Sequence, residues 1–106
     1  MIEAIEKLKP ATREWFDTVC QEWELGPHHI RLLVLACQAW ERTQEAKAAI
    51  DAEGLTVPVA GGVKTHPAVA IERDSRLAFA RLLREVNLDD DGPDESRPPA
   101  LAYGGK

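Results

Sequence analysis

Long apolar runs, metal-ligand spacings and a disulfide framework are all missing from this chain of 106 residues. No stretch approaches the roughly 20 apolar residues that a membrane span requires, so no membrane partner is expected. The segment Met1 to Lys9 carries Glu3 and Glu6 where a secretory signal would place basic residues and then an apolar run, so none is expected. Cys20 and Cys37 are too few for a disulfide scaffold. Each sits within an apolar helical pattern, which predicts reduced thiols in a cytosolic setting.

The chemistry of a catalytic centre is equally scarce. No histidine or cysteine pair shows the C-x-x-C or H-x-x-x-H spacing that gathers metal ligands on a local scaffold, and the adjacent His28 and His29 diverge on a helix. Ser75 and Ser96 lack an elbow motif, and neither cysteine has a recognisable partner histidine. Gly61-Gly62 is not followed by the lysine and hydroxyl residue of a phosphate-binding loop, despite Lys64 and Thr65 nearby, and reads as a turn. No catalytic residue, metal site or cofactor is assigned, and a small enzyme is disfavoured.

What is present is a helical body. Hydrophobic residues make up 44% and charged residues 29%, so a folded domain is expected, and the length suits one domain built from few elements. Trp15, Phe16, Val19, Cys20 and Trp23 repeat at steps of three and four, predicting a helix from about Thr12, as its cap, to Glu24. Ile30, Leu33, Val34, Cys37 and Trp40 continue the pattern in a longer helix from about Pro27 or His28 to Glu53, which Gly54 is placed to end. The tryptophans Trp15, Trp23 and Trp40 are expected to supply much of the core. Thr56, Val57 and Val59 read as extended, Pro58 restricts pairing to an edge, and a loop or poor hairpin is predicted up to Thr65. Pro67 opens a third helix that runs to about Val86, with Arg73, Arg76, Arg81 and Arg84 on its polar side. The fold class is therefore all-α, a helical hairpin followed by a third helix.

Charge divides the chain. The formal net charge is −5, yet the segment from Asn87 onward holds five acids against two bases and supplies −3 of it, leaving −2 for the body. Such a body can still present a basic face. Residues 1–88 read as one helical unit and residues 89–106 as a flexible acidic tail, rich in proline and glycine, with Leu101 and Tyr103 as isolated apolar anchors.

One stretch is more specific. Gly54-Leu55, a short glycine-containing loop, and Lys64-Thr65-His66-Pro67-Ala68-Val69 lead into Arg73-Asp74-Ser75-Arg76-Leu77 and Arg81-Leu82-Leu83-Arg84-Glu85. This resembles the phage small terminase subunit family, in which a long helix ending in Gly-Leu is followed by a His-Pro-Ala segment and a helix closing on a Leu-Gly-Leu-like end. Val86-Asn87-Leu88 replaces that ending here, and asparagine, like glycine, tolerates the left-handed conformation. Proline after His66 starts a helix without losing a needed donor, so His66 reads as a structural cap.

The resemblance implies a homo-oligomer in the form of a ring that engages viral double-stranded DNA in the host bacterial cytoplasm and regulates a large ATPase-nuclease subunit. Candidate DNA contacts are Lys7, Lys9, Arg13, Arg31, Lys64, Arg73 and Arg76, each with ordinary surface solvation as its alternative role. Self-association is expected along the long helix through Ile30, Leu33, Cys37 and Trp40. In the tail, Asp89, Asp90, Asp91, Leu101 and Tyr103 are candidates for meeting the large subunit, with a merely solubilising end as the alternative. The rival reading is a dimeric helix-turn-helix regulator whose residues His28 to Arg31 enter a DNA groove.

Overall fold

The computed structural model describes residues 2–86. Within them the chain runs α1 (Ile2–Glu6), α2 (Pro10–Glu22), α3 (Pro27–Glu53), β1 (Thr56–Val59), β2 (Gly62–Thr65) and α4 (Pro67–Val86). The expected acidic tail, including Asp89, Asp90, Asp91, Leu101 and Tyr103, lies outside the described residues.

All three long helices begin with proline at their first position, where a missing N–H is harmless and the ring presets φ. This moves the start of α2 two residues ahead of the expected Thr12. Thr12 is inside the helix and buried, and it is not the cap. The cap is Lys9, which makes no side-chain capping bond, and its backbone N–H donates instead to Glu41 Oε2 of α3 at 2.7 Å. The C-terminal end of α2 falls at Glu22, with Trp23 already extended at φ −126° and ψ 140° as the chain approaches Gly26-Pro27.

Helix α3 organises the fold because it has two apolar sides. Leu33, Val34 and Cys37 are buried against Phe16 and Val19 of α2, with Leu8 closing the cluster and Ala4, Ile5, Trp23 and Ile30 packed around it. This corrects the expected role of the tryptophans. Only Trp23 joins the core, whereas Trp15 and Trp40 remain 36% and 43% exposed. The core is built from Leu8, Phe16, Val19, Leu33, Val34 and Cys37, and the indoles of Trp15 and Trp40 stand outside it.

The other side of α3 carries the buried small residues Ala36, Thr43 and Ala46, and α4 lies along it. Contacts between Trp40 and Phe79, Thr43 and Ser75, and Glu53 and His66 run in opposite chain order, so the two helices are antiparallel. Small residues on this side, spaced seven and three apart, let the helix backbones approach closely. In the middle of this seam the Ser75 hydroxyl donates to the Ile71 carbonyl at 2.6 Å. The Thr43 hydroxyl lies 2.8 Å from Ser75 Oγ and 2.9 Å from the Ala39 carbonyl, and its single hydrogen serves one of them.

The connection between α3 and α4 is a two-stranded antiparallel hairpin, with Thr56 opposite Thr65 and Val59 opposite Gly62. The turn uses Gly61 at φ 86°, and Gly54 at φ 90° ends α3, both in a region that side chains with a Cβ rarely adopt. Pro58 is tolerated opposite Val63 because a two-stranded sheet consists only of edges. His66 then caps α4. Its Nδ1 accepts from the Ala68 N–H at 2.9 Å, its own N–H donates to the Leu55 carbonyl at 2.8 Å, and its Nε2 lies 2.6 Å from Glu53 Oε1.

Candidate nucleic-acid interface

The seven basic residues singled out from sequence are not brought to one place. Lys7 lies 3.9 Å from Glu3, Arg13 is 3.2 Å from Asp17, Arg73 is 3.1 Å from Asp74, and Arg76 is 3.1 Å from Glu72. Lys9, Arg31 and Lys64 are exposed and have no ion-pair partner among the described residues. Arg31 stands in the first turns of α3 and Lys64 on β2, beyond its far end, and a helix of 27 residues separates its ends by about 40 Å.

Helix α4 presents a more coherent surface. Ala70, Arg73, Leu77, Arg81 and Arg84 follow one another at steps of three, four, four and three, and all five are exposed. At about 100° per residue these positions fall on the side of α4 opposite Phe79 and Ser75, which face α3. Arg81 and Arg84 have no ion-pair partner among the described residues. Arg76 projects toward a different flank and is tied to Glu72. Arg81 and Arg84 are thus missing from the sequence-derived candidates, although the spacing with Arg73 and Leu77 could have singled them out. Guanidinium groups in a row on an exposed helix can meet successive phosphates, with two N–H groups available to each.

On the other flank of the helical body, Trp15 of α2, Trp40 of α3 and Phe79 of α4 line a cleft of about 490 Å³ with Ala11, Thr12 and Leu83. The ring centroids of Trp15 and Trp40 lie 6.2 Å and 5.4 Å from that of Phe79, in tilted arrangements. The walls are almost wholly apolar, which suits binding of an apolar segment better than chemistry.

The four residues expected to mediate self-association separate in the structure. Leu33 and Cys37 are fully buried inside the chain's own core, Ile30 is half-buried beside them, and Trp40 sits in the cleft. Leu35, two residues or about 200° around α3 from Leu33, is 50% exposed and turned away from α2. Both cysteines are free thiols. Burial, then the Glu41 carboxylate and Cys20, push the Cys37 thiol up to about 12, and burial followed by the Asp17 carboxylate raises Cys20. These are structural thiols held protonated, not activated nucleophiles.

Contrary to the expected divergence, the rings of His28 and His29 come together at the start of α3, with centroids 4.1 Å apart. Among the described residues no group of three metal-ligating side chains comes together, and no helix is long and apolar enough to cross a membrane.

Comparison with known proteins places this arrangement. No curated protein and no solved structure matches the chain. A family model described as phage terminase, small subunit, matches residues 11–92, a span that takes in all of α2 but its first residue, α3, the hairpin and α4. With most of its length matched, the chain belongs to the phage terminase small subunit family.

Proposed function

We propose that this protein is the self-associating small subunit of a viral DNA-packaging machine, which engages double-stranded viral DNA and recruits or regulates the large ATPase-nuclease subunit without catalysing a reaction itself. The family match supports the packaging role. The observation that carries DNA engagement is the exposed α4 face, where Arg73, Arg81 and Arg84 flank Leu77 and the last two arginines are without carboxylate partners among the described residues. Repetition of that face around an oligomer multiplies phosphate contacts that one copy makes too weakly to matter.

Self-association is assigned to the outer side of the α3–α4 pair, where Leu35 and Ile71 are exposed apolar residues outside the cleft. The acidic tail is assigned to the large subunit, with carboxylates steering approach and Leu101 and Tyr103 supplying burial. Assembly with DNA and the large subunit takes place in the host bacterial cytoplasm. The rival helix-turn-helix reading draws no support from the family match. The length of α3 and its long antiparallel seam with α4 also differ from a short recognition helix lying free in a groove.

Sedimentation of the purified protein with the large subunit and a viral duplex at low salt tests this reading. The expected result is a multimer that co-sediments with both. A monomer that travels with neither overturns it.

A further inference from the structure

Two tryptophans left one-third or more exposed in a small domain are an apolar surface awaiting cover. The lining of the cleft they form also includes a residue whose polar group is unmet. Thr12 is only 6% exposed and lines the cleft, and its hydroxyl has no hydrogen-bond partner among the described residues. Buried polar groups are nearly always satisfied, so the cleft is shaped for an occupant with apolar bulk and at least one hydrogen-bonding group.

We infer that the occupant is the chain's own C-terminal segment Pro98-Pro99-Ala100-Leu101-Ala102-Tyr103. Three observations converge on it. The chain leaves α4 at Val86, one turn beyond Leu83, which is itself a wall of the cleft. Leu101 follows fifteen residues later, and that length spans up to ~50 Å when extended, more than enough to return. The composition fits as well. A Pro-Pro start favours a polyproline II strand with low ordering entropy, the type of ligand that aromatic-lined grooves take, while Leu101 and Tyr103 supply the apolar bulk.

The Tyr103 hydroxyl and the peptide groups of the segment provide partners for Thr12. A tether of this length keeps the segment at an effective concentration on the order of millimolar, so a weak contact is enough for occupancy. The contact forms within one chain and does not depend on DNA or on the large subunit. It holds whether or not the same anchors are later captured by a partner.

Tryptophan emission of the full chain tests it, because Trp15 and Trp40 report on the cleft while Trp23 packs against the core. The double variant L101A/Y103A alters only residues beyond the helical body. Compared with the unmodified protein it is expected to emit at longer wavelength and to be quenched more strongly by acrylamide, at every protein concentration. A synthetic peptide of residues 96–106 restores the original emission saturably, and a peptide of reversed order does not.

Identical emission and quenching in the two proteins would overturn the inference. So would restoration by the reversed peptide. Protection that grows with protein concentration equally in both proteins would also overturn it and assign the cleft to a second copy.

Discussion

His66 Nε2 and Glu53 Oε1 meet at 2.6 Å across the β-hairpin, joining the last residue of α3 to the residue that caps α4. Because Nδ1 accepts the Ala68 N–H, the ring hydrogen sits on Nε2 and donates to the carboxylate. One imidazole thus fixes the start of α4 and holds it against the end of α3. Replacing His66 by Ala should destabilise the fold by about 1 kcal/mol, the usual loss for a helix cap, with H66N retaining most of the stability through its own side-chain oxygen. Urea denaturation of the three proteins checks this, and equal stability of H66A and the parent would show that the cap is dispensable.

The α3–α4 seam depends on small residues. Ala36 is fully buried, so A36L should force the helices apart and lower stability by about 1–3 kcal/mol. The hydroxyl pair behaves differently. Removing both hydroxyls in T43V/S75A should leave stability within about 1 kcal/mol of the parent, since neither change strands an unsatisfied partner. Thermal melts of both proteins decide between close packing and hydrogen bonding as the main determinant of the seam.

Neighbouring leucines on α3 should separate folding from assembly. Leu33→Ala empties a fully buried site and is expected to lose about 2–5 kcal/mol. Leu35→Ser changes an exposed residue, and should leave the melting transition nearly unmoved while shifting light scattering toward smaller species. An oligomer unchanged by L35S would remove Leu35 from the self-association surface.

The thiols predict an alkaline weakness. The folded Cys37 thiol lies at about 12 against an ordinary 9.0, so the neutral form is favoured in the folded state. Its contribution is fully present below pH 9 and is lost as the pH rises from 9 toward 12, because the unfolded chain ionises first. Stability measured across that window should fall less steeply in C37A than in the parent. At neutral pH Cys37 should resist alkylation until the chain unfolds.

Much of this architecture is legible from residue spacing. The long helix from Pro27 to Glu53 and the helix from Pro67 to Val86 follow from apolar periodicity bracketed by proline and glycine. α1 escapes such reasoning because five residues hold barely more than one helical period, and it owes its position to Leu8 and Ile5 packing on the core. The placement of the tryptophans is hidden for a different reason. Periodicity shows that Trp15 and Trp40 share a side with core residues, but only the tertiary arrangement shows that this side opens at the α2–α4 gap. Likewise, a step of three or four residues marks Leu33 and Cys37 as interior without saying whether the interior belongs to one chain or to two. The spacing of Arg81 and Arg84 with Arg73 and Leu77 is legible in the sequence, but the contacts of Phe79 and Ser75 with α3 are needed to show that this face points outward.

An assembly of this protein is expected to grip viral duplex DNA through the outer face of α4. Anisotropy of labelled duplex titrated with the assembled protein over a range of salt concentrations tests it most directly, using the parent, R81A/R84A and R76A. Binding should be salt-sensitive, and the slope of log affinity against log salt should fall by about one for each phosphate contact removed, so by about two per copy engaged in R81A/R84A. R76A, whose guanidinium is held by Glu72, should keep the parent slope. Undetectable binding by the assembled parent at low salt, or a slope that R81A/R84A leaves unchanged, would exclude the outer face of α4 as the DNA-binding surface.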